Sequence, residues 1–134
     1  MGVFQSAQKI KINQGENIYS LNLSDETASL IQYDKSEAET ILIPSYIDHE
    51  NKRYYITSID STVFSGRMDI KTIEFPSESK LQIIGENTFY NSTIERILIP
   101  SSVIELKHGS FAECSNLKNV EFEKDSQLQK MENF

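Results

Sequence analysis

Two histidines, His49 and His108, one cysteine, Cys114, and 20 acidic side chains are the groups in this 134-residue chain whose types could hold a metal, attack a substrate or move a proton. Their spacing argues against each use. The histidines stand 59 positions apart, and no H-x-x-x-H or C-x-x-C pair preorganises ligands. His49 therefore reads as a turn residue and His108 as a solvated loop residue, and no metal is expected. Acid–base chemistry needs two carboxyl groups converging in a desolvated cleft, whereas most acids here fall on turns or outward strand positions. Gly15, Gly66, Gly85 and Gly109 are isolated and form neither a Gly-x-Gly-x-x-Gly nor a P-loop arrangement, so no nucleotide or other cofactor is expected. Met1-Gly2-Val3-Phe4-Gln5-Ser6 fits the myristoylation pattern, but a single acyl chain anchors only marginally, and Lys9 and Lys11 are too few for a polybasic patch. The expectation is a non-enzyme.

Charge narrows the partners. With 13 basic and 20 acidic residues the net charge is -7 and the pI about 4.8, which opposes binding to nucleic acid or to an anionic membrane. The longest apolar runs, such as Ile41-Leu42-Ile43 and Ile97-Leu98-Ile99, fall far short of the ~20 residues of a membrane helix. No apolar stretch of a secretory leader is visible at the N-terminus, so an extracellular role requires a removed leader or another export route. A lone cysteine leaves no internal disulfide, and stability must come from packing. With 17 isoleucines, 9 leucines and only 4 alanines, that packing is expected between strands.

The elements that position these residues follow from a period. Ile73-Glu74-Phe75-Pro76 returns 24 residues later as Ile97-Leu98-Ile99-Pro100 and 23 after that as Val120-Glu121-Phe122-Glu123; Ile41-Leu42-Ile43-Pro44 lies 32 residues upstream. Ala38, Ile70, Ile94 and Leu117 precede these copies by three residues, giving apolar-x-x-apolar-x-apolar. A second signature alternates with the first: Ile56–Ile59 followed by Phe64, Leu81–Ile84 by Phe89, and Val103–Leu106 by Phe111. A fourth copy starts at Leu128 and Met131 and stops before its phenylalanine, since Phe134 is out of phase. Units of this length cannot bury an apolar face alone, so neighbours must stack around one core. Alternation turns Ile73 and Phe75 inward and Glu74 outward, and proline ends strand pairing at Pro44, Pro76 and Pro100. Phe64, Phe89 and Phe111 are expected to stack as an aromatic spine.

These residues resemble the BspA-like leucine-rich repeats of bacterial and protozoan surface antigens. The resemblance is carried by Ile94 to Phe111 with Ile99-Pro100-Ser101-Ser102-Val103, by Ile84-Gly85, and by Phe111-Ala112-Glu113-Cys114-Ser115-Asn116-Leu117. It covers roughly residues 37 to 134. Val63, Thr88 and Ser110 stand where the family carries a small residue before phenylalanine, and the family's cysteine occurs once, as Cys114. The resemblance implies a β-rich solenoid, a right-handed leucine-rich-repeat superhelix of about three to four repeats with a parallel inner sheet. It makes Cys114 an inert packing residue and implies a cell-surface setting with adhesion to host or matrix proteins.

Residues 1–36 lack the repeat. Ile10 and Ile12, then Tyr19, Leu21 and Leu23, alternate, and Ser24-Asp25-Glu26-Thr27 supplies turn residues before Ser29–Tyr33, which predicts an antiparallel β-hairpin capping the first turn. The domain reading is a cap over 1–36 and repeats over 37–134, the last incomplete. The longer first interval predicts a second hairpin, Pro44–Asp48 and Arg53–Ile56 around His49-Glu50-Asn51-Lys52. The C-terminus shows no comparable cap, which suggests self-association through the last strand, or a fragment without retained activity.

Laid in register, the inner strands present three outward rows: Glu39, Lys71, Glu95 and Lys118; Thr40, Thr72, Arg96 and Asn119; Leu42, Glu74, Leu98 and Glu121. The first alternates in sign, as a cross-strand charge ladder would. One reading of the three rows is register control and solubility; the other is a face that contacts a protein partner, with Arg96 and Leu98 as central anchors. The functional expectation is a non-catalytic protein-binding module of surface-antigen type, the alternative a cytoplasmic adaptor or scaffold of the same fold.

Overall fold

A computed structural model describes residues 8–35 and 39–132. Its strands are β1 (Lys9–Gln14), β2 (Asn17–Asn22), β3 (Thr27–Tyr33), β4 (Thr40–Leu42), β5 (Tyr46–His49), β6 (Lys52–Ile59), β7 (Thr72–Glu74), β8 (Ile83–Ile84), β9 (Arg96–Ile99), β10 (Glu105–Leu106), β11 (Asn119–Phe122) and β12 (Lys130–Met131). No helix in the described residues is long and apolar enough to cross a membrane.

The two sequence signatures become two walls of a solenoid of about four turns. The first forms a parallel sheet in the order β4-β7-β9-β11, in which Ile41, Ile73, Ile97 and Val120 stand in register with their side chains inward. The second forms the parallel run β6-β8-β10-β12, with Ile59, Ile84, Leu106 and Met131 in register. Ile73, Ile97, Ile59, Ile84 and Leu106 are all buried in a single core. Strands stop before Pro44, Pro76 and Pro100, where a missing amide hydrogen ends the ladder. Gly85 is needed where the walls close, because a Cβ there would lie 2.7 Å from the Ile59 carbonyl oxygen and 2.7 Å from the Ser61 amide nitrogen.

The phenylalanine segments make a third wall without strands. Phe64 and Phe89 stack with centroids 5.3 Å apart and planes 5° apart, and Phe89 and Phe111 at 5.2 Å and 10°. Tyr33 continues the spine at its other end, 5.1 Å from Phe64. Each turn donates amides to carbonyls of the next: Phe64 N–H to Thr88 O at 2.8 Å, and Phe89 N–H to Ser110 O at 2.8 Å. The residues two positions before the rings, Thr62, Asn87 and Gly109, all take positive φ, at 63°, 54° and 70°. This recurring left-handed residue bends each segment around its ring.

The expected N-terminal hairpin is present as β2–β3, joined through Ser24-Asp25-Glu26, and is extended by β1 antiparallel to β2, while β3 runs parallel to β6. It therefore lengthens the β6-β8-β10-β12 sheet, and Tyr19, Leu21, Ala28 and Leu30 join the core. The second predicted hairpin is β5–β6, turned at Glu50 and Asn51, whose positive φ values of 49° and 64° suit a type I′ turn. Arg67 ties the cap to the turns: its guanidinium donates to Tyr33 O at 2.9 Å and Lys35 O at 3.0 Å while forking onto Asp69. That fork holds the Asp69 carboxyl below the usual carboxylate range, despite partial burial. Ala38 and the myristoylation pattern at Met1–Ser6 lie outside the described residues.

Candidate functional site: the outer face of the β4-β7-β9-β11 sheet

Inward isoleucines at alternate positions force the intervening residues of β4, β7, β9 and β11 to face outward, and parallel register aligns them across strands. Thr40, Thr72, Arg96 and Asn119 pair successively in the ladder; Leu42 stands beside Glu74, and Leu98 beside Glu121. Glu39, Lys71, Glu95 and Lys118 lie just before the strands, where each carbonyl of one turn accepts amides of the next, as in Lys71 N–H to Glu39 O at 2.7 Å and Lys118 N–H to Glu95 O at 2.8 Å.

The rows differ in what their charges do. In the first, Lys71 Nζ lies 3.5 Å from Glu39 Oε1 and Lys118 Nζ 3.7 Å from Glu95 Oε1, so its charges are matched within the protein. A similar contact, Lys130 to Glu105 at 3.9 Å, crosses β10 and β12 on the other sheet. By contrast, Arg96 has Thr72 and Asn119 as its lateral neighbours, and among the described residues Arg96, Glu74 and Glu121 make no ion pair. Between them Leu42 and Leu98 are 60% and 48% exposed, large apolar surfaces to leave in water.

A groove of about 310 Å³ runs over this face, lined from the predicted rows by Leu42, Thr72, Glu74, Arg96, Leu98 and Glu121. The structure thus brings half of the predicted residues around one depression and leaves Glu39, Thr40, Lys71, Glu95, Lys118 and Asn119 outside it. Phe75 and Glu123 also line it and were not among the predicted face residues. Phe75, expected inward, is only half-buried at the strand end before Pro76; Glu123 is fixed by accepting the Ser101 amide at 2.7 Å. Both belong to the repeated tetrapeptide, Phe75 at its inward third position and Glu123 at the place of the prolines, so the period assigned neither to the outward rows.

The remaining reactive groups lie apart from this groove. Cys114 is half-buried and its thiol donates to the Phe89 carbonyl at 2.9 Å. His49 closes β5 beside Glu50 at 3.6 Å, and His108 is exposed at a turn. The described residues contain no group of three or more His, Cys, Asp or Glu able to hold a metal. Burial raises the Asp60 carboxyl, an effect that Lys9 and Lys107 oppose.

Stacked parallel walls, an aromatic spine and a row-patterned sheet face define a leucine-rich-repeat solenoid. The chain belongs to the BspA type leucine-rich repeat family, whose repeat region matches residues 33–134 in six copies. Among solved structures it is similar to a leucine-rich cell surface protein from Faecalibacterium prausnitzii A2-165, at 25% identity and TM-score 0.75, over 91% of this chain and 32% of that one. A T. pallidum leucine-rich repeat protein shares the fold at 22% identity and TM-score 0.66, over 76% of this chain and 45% of that one. The pneumococcal vaccine antigen PcpA does so at 18% identity and TM-score 0.71, over 94% and 41%. The chain thus spans less than half the length of each of these structures. No curated protein matches it in sequence.

Proposed function

We propose that the chain is a non-catalytic binding module that engages a protein partner with the outer face of β4, β7, β9 and β11, in a cell-surface setting. The observation that carries this is the conjunction in one groove of two exposed leucines with an arginine and two glutamates that make no ion pair among the described residues. An arginine beside exposed apolar side chains offers a partner both a hot-spot residue and surface to cover, and the glutamates set the charge that the partner must complement. The surface setting is supported by likeness to the F. prausnitzii cell surface protein, and adhesion to host or matrix proteins is its finer form.

The test is capture of the full chain on a panel of purified extracellular matrix proteins, comparing wild type with Leu98→Arg and with Lys130→Glu on the opposite sheet. Covering a leucine is worth about 1.5–3 kcal/mol, so Leu98→Arg should weaken capture about tenfold or more while Lys130→Glu leaves it unchanged. Equal capture of wild type and Leu98→Arg, or capture of neither on any member of the panel, would overturn the reading.

A further inference from the structure

The residues lining the groove reach across all four strands, from Leu42 on β4 to Glu121 on β11, and each strand beneath it is three or four residues long. A ligand filling it therefore lies along the central row, Leu42-Glu74-Leu98-Glu121. That row alternates apolar and acidic side chains, one per strand. Adjacent strands are about 4.8 Å apart, so the four positions fall near 0, 4.8, 9.6 and 14.4 Å.

Two backbone conformations can be matched to this spacing. In an extended chain, side chains on one face recur about every 6.7 Å and would overshoot the fourth position by about 6 Å. In an α-helix, residues i, i+4, i+7 and i+11 share a face and lie near 0, 6, 10.5 and 16.5 Å along the axis, an error of about 2 Å that side-chain flexibility absorbs. One helical turn per solenoid strand fits; an extended chain does not.

Resting on the reading of this face as the binding surface, we infer that its occupant is an amphipathic helix of a protein partner with apolar residues at i and i+7 over Leu42 and Leu98 and basic residues at i+4 and i+11 over Glu74 and Glu121. Charge complementarity selects the basic residues, since both glutamates make no ion pair within the described chain and the protein's net charge is -7. Arg96, one row aside, meets a carboxylate on the flank of the same helix. Phe75 and Glu123 border the other side.

The experiment is a fluorescence anisotropy titration of the full chain with labelled peptides of about 18 residues. One is alanine-rich with leucine at i and i+7 and lysine at i+4 and i+11. A second has the same composition with leucine and lysine arranged in strand-like alternation, and a third carries glutamate in place of lysine. The helical lysine peptide should bind about tenfold more tightly than the other two, and Glu74→Lys/Glu121→Lys should reverse the preference between lysine and glutamate. Both sites are exposed, so the double variant retains the fold, which circular dichroism verifies. Equal or tighter binding of the alternating peptide, no binding of the helical one, or an unchanged charge preference in the double variant would overturn the inference. Loss of matrix-protein capture by Leu98→Arg would still stand in those cases, so the two readings fail separately.

Discussion

Ser110 and Thr88 occupy the same place in successive turns, immediately before Phe111 and Phe89, and both are fully buried. Their hydroxyls fare differently. Thr88 Oγ1 donates toward the Gly85 carbonyl at 2.7 Å and the Asp60 carbonyl at 3.2 Å, bracing the corner where the walls meet. Ser110 Oγ is buried with no hydrogen-bond partner in the described residues. A buried hydroxyl without a partner costs about 1–3 kcal/mol. Ser110→Ala removes that cost and forfeits the packing of one small atom, so it should stabilise the chain by about 1 kcal/mol, or roughly 3–5 °C in Tm. Thr88→Val keeps the shape of its side chain, loses the donor, and should destabilise by about 1–2 kcal/mol. Urea unfolding followed by far-ultraviolet circular dichroism, with unchanged m-values, reads both midpoints. A lowered midpoint for Ser110→Ala, or none for Thr88→Val, would refute the assignment of opposite roles to equivalent positions.

Thr62→Asn should raise stability by about 1 kcal/mol, because a β-branched residue at φ 63° is strained where the next turns carry Asn87 and Gly109; thermal unfolding measures the gain. Burial, with a smaller contribution from Tyr33, pushes the Tyr19 hydroxyl up to about 12. Its folded value therefore exceeds its unfolded one, and about 2–3 kcal/mol of stability, complete below pH ~10, is lost as the pH climbs toward ~12. Tyr19→Phe should flatten that part of the alkaline unfolding profile relative to wild type.

Repetition made the fold readable. Each turn must offer the core an aliphatic pair and a ring at the same places, so packing imprints the period on Ile41, Ile73 and Ile97 and on Phe64, Phe89 and Phe111. The same logic explains what stayed hidden. Tyr33 joins the spine from β3, where neither sequence signature has a copy, and Arg67 binds backbone carbonyls, which any residue can supply; neither contact constrains a neighbouring side chain enough to leave a pattern. The third wall's amide ladder is likewise a main-chain property. Its one side-chain trace is the left-handed position occupied by Thr62, Asn87 and Gly109, whose three different residues conceal a shared backbone conformation. Likewise, β3 was visible as the segment after the turn residues, but its parallel pairing with β6 depends on how the cap meets the first turn.

The outward rows show why a candidate site can be half legible. Register alone placed Glu39 beside Lys71 and Glu95 beside Lys118, and such exposed pairs contribute only a few tenths of a kcal/mol each. Register also set Arg96 between Thr72 and Asn119, where no carboxylate can meet it laterally. An acidic residue at either place would have extended the ladder at no steric cost, and a polar residue in place of Leu42 or Leu98 would have reduced exposed apolar area. Stability therefore accounts for the first row and leaves the central ones unexplained. What distinguishes them is that, among the described residues, Arg96, Glu74 and Glu121 make no ion pair and stand around two exposed leucines; on the proposed reading, a partner surface covers the leucines and takes over charges that water now holds. Replacing Thr72 with Glu, which gives Arg96 an internal partner, should on this argument weaken partner capture while leaving or slightly raising stability, whereas a face built only for solubility would show no loss of capture.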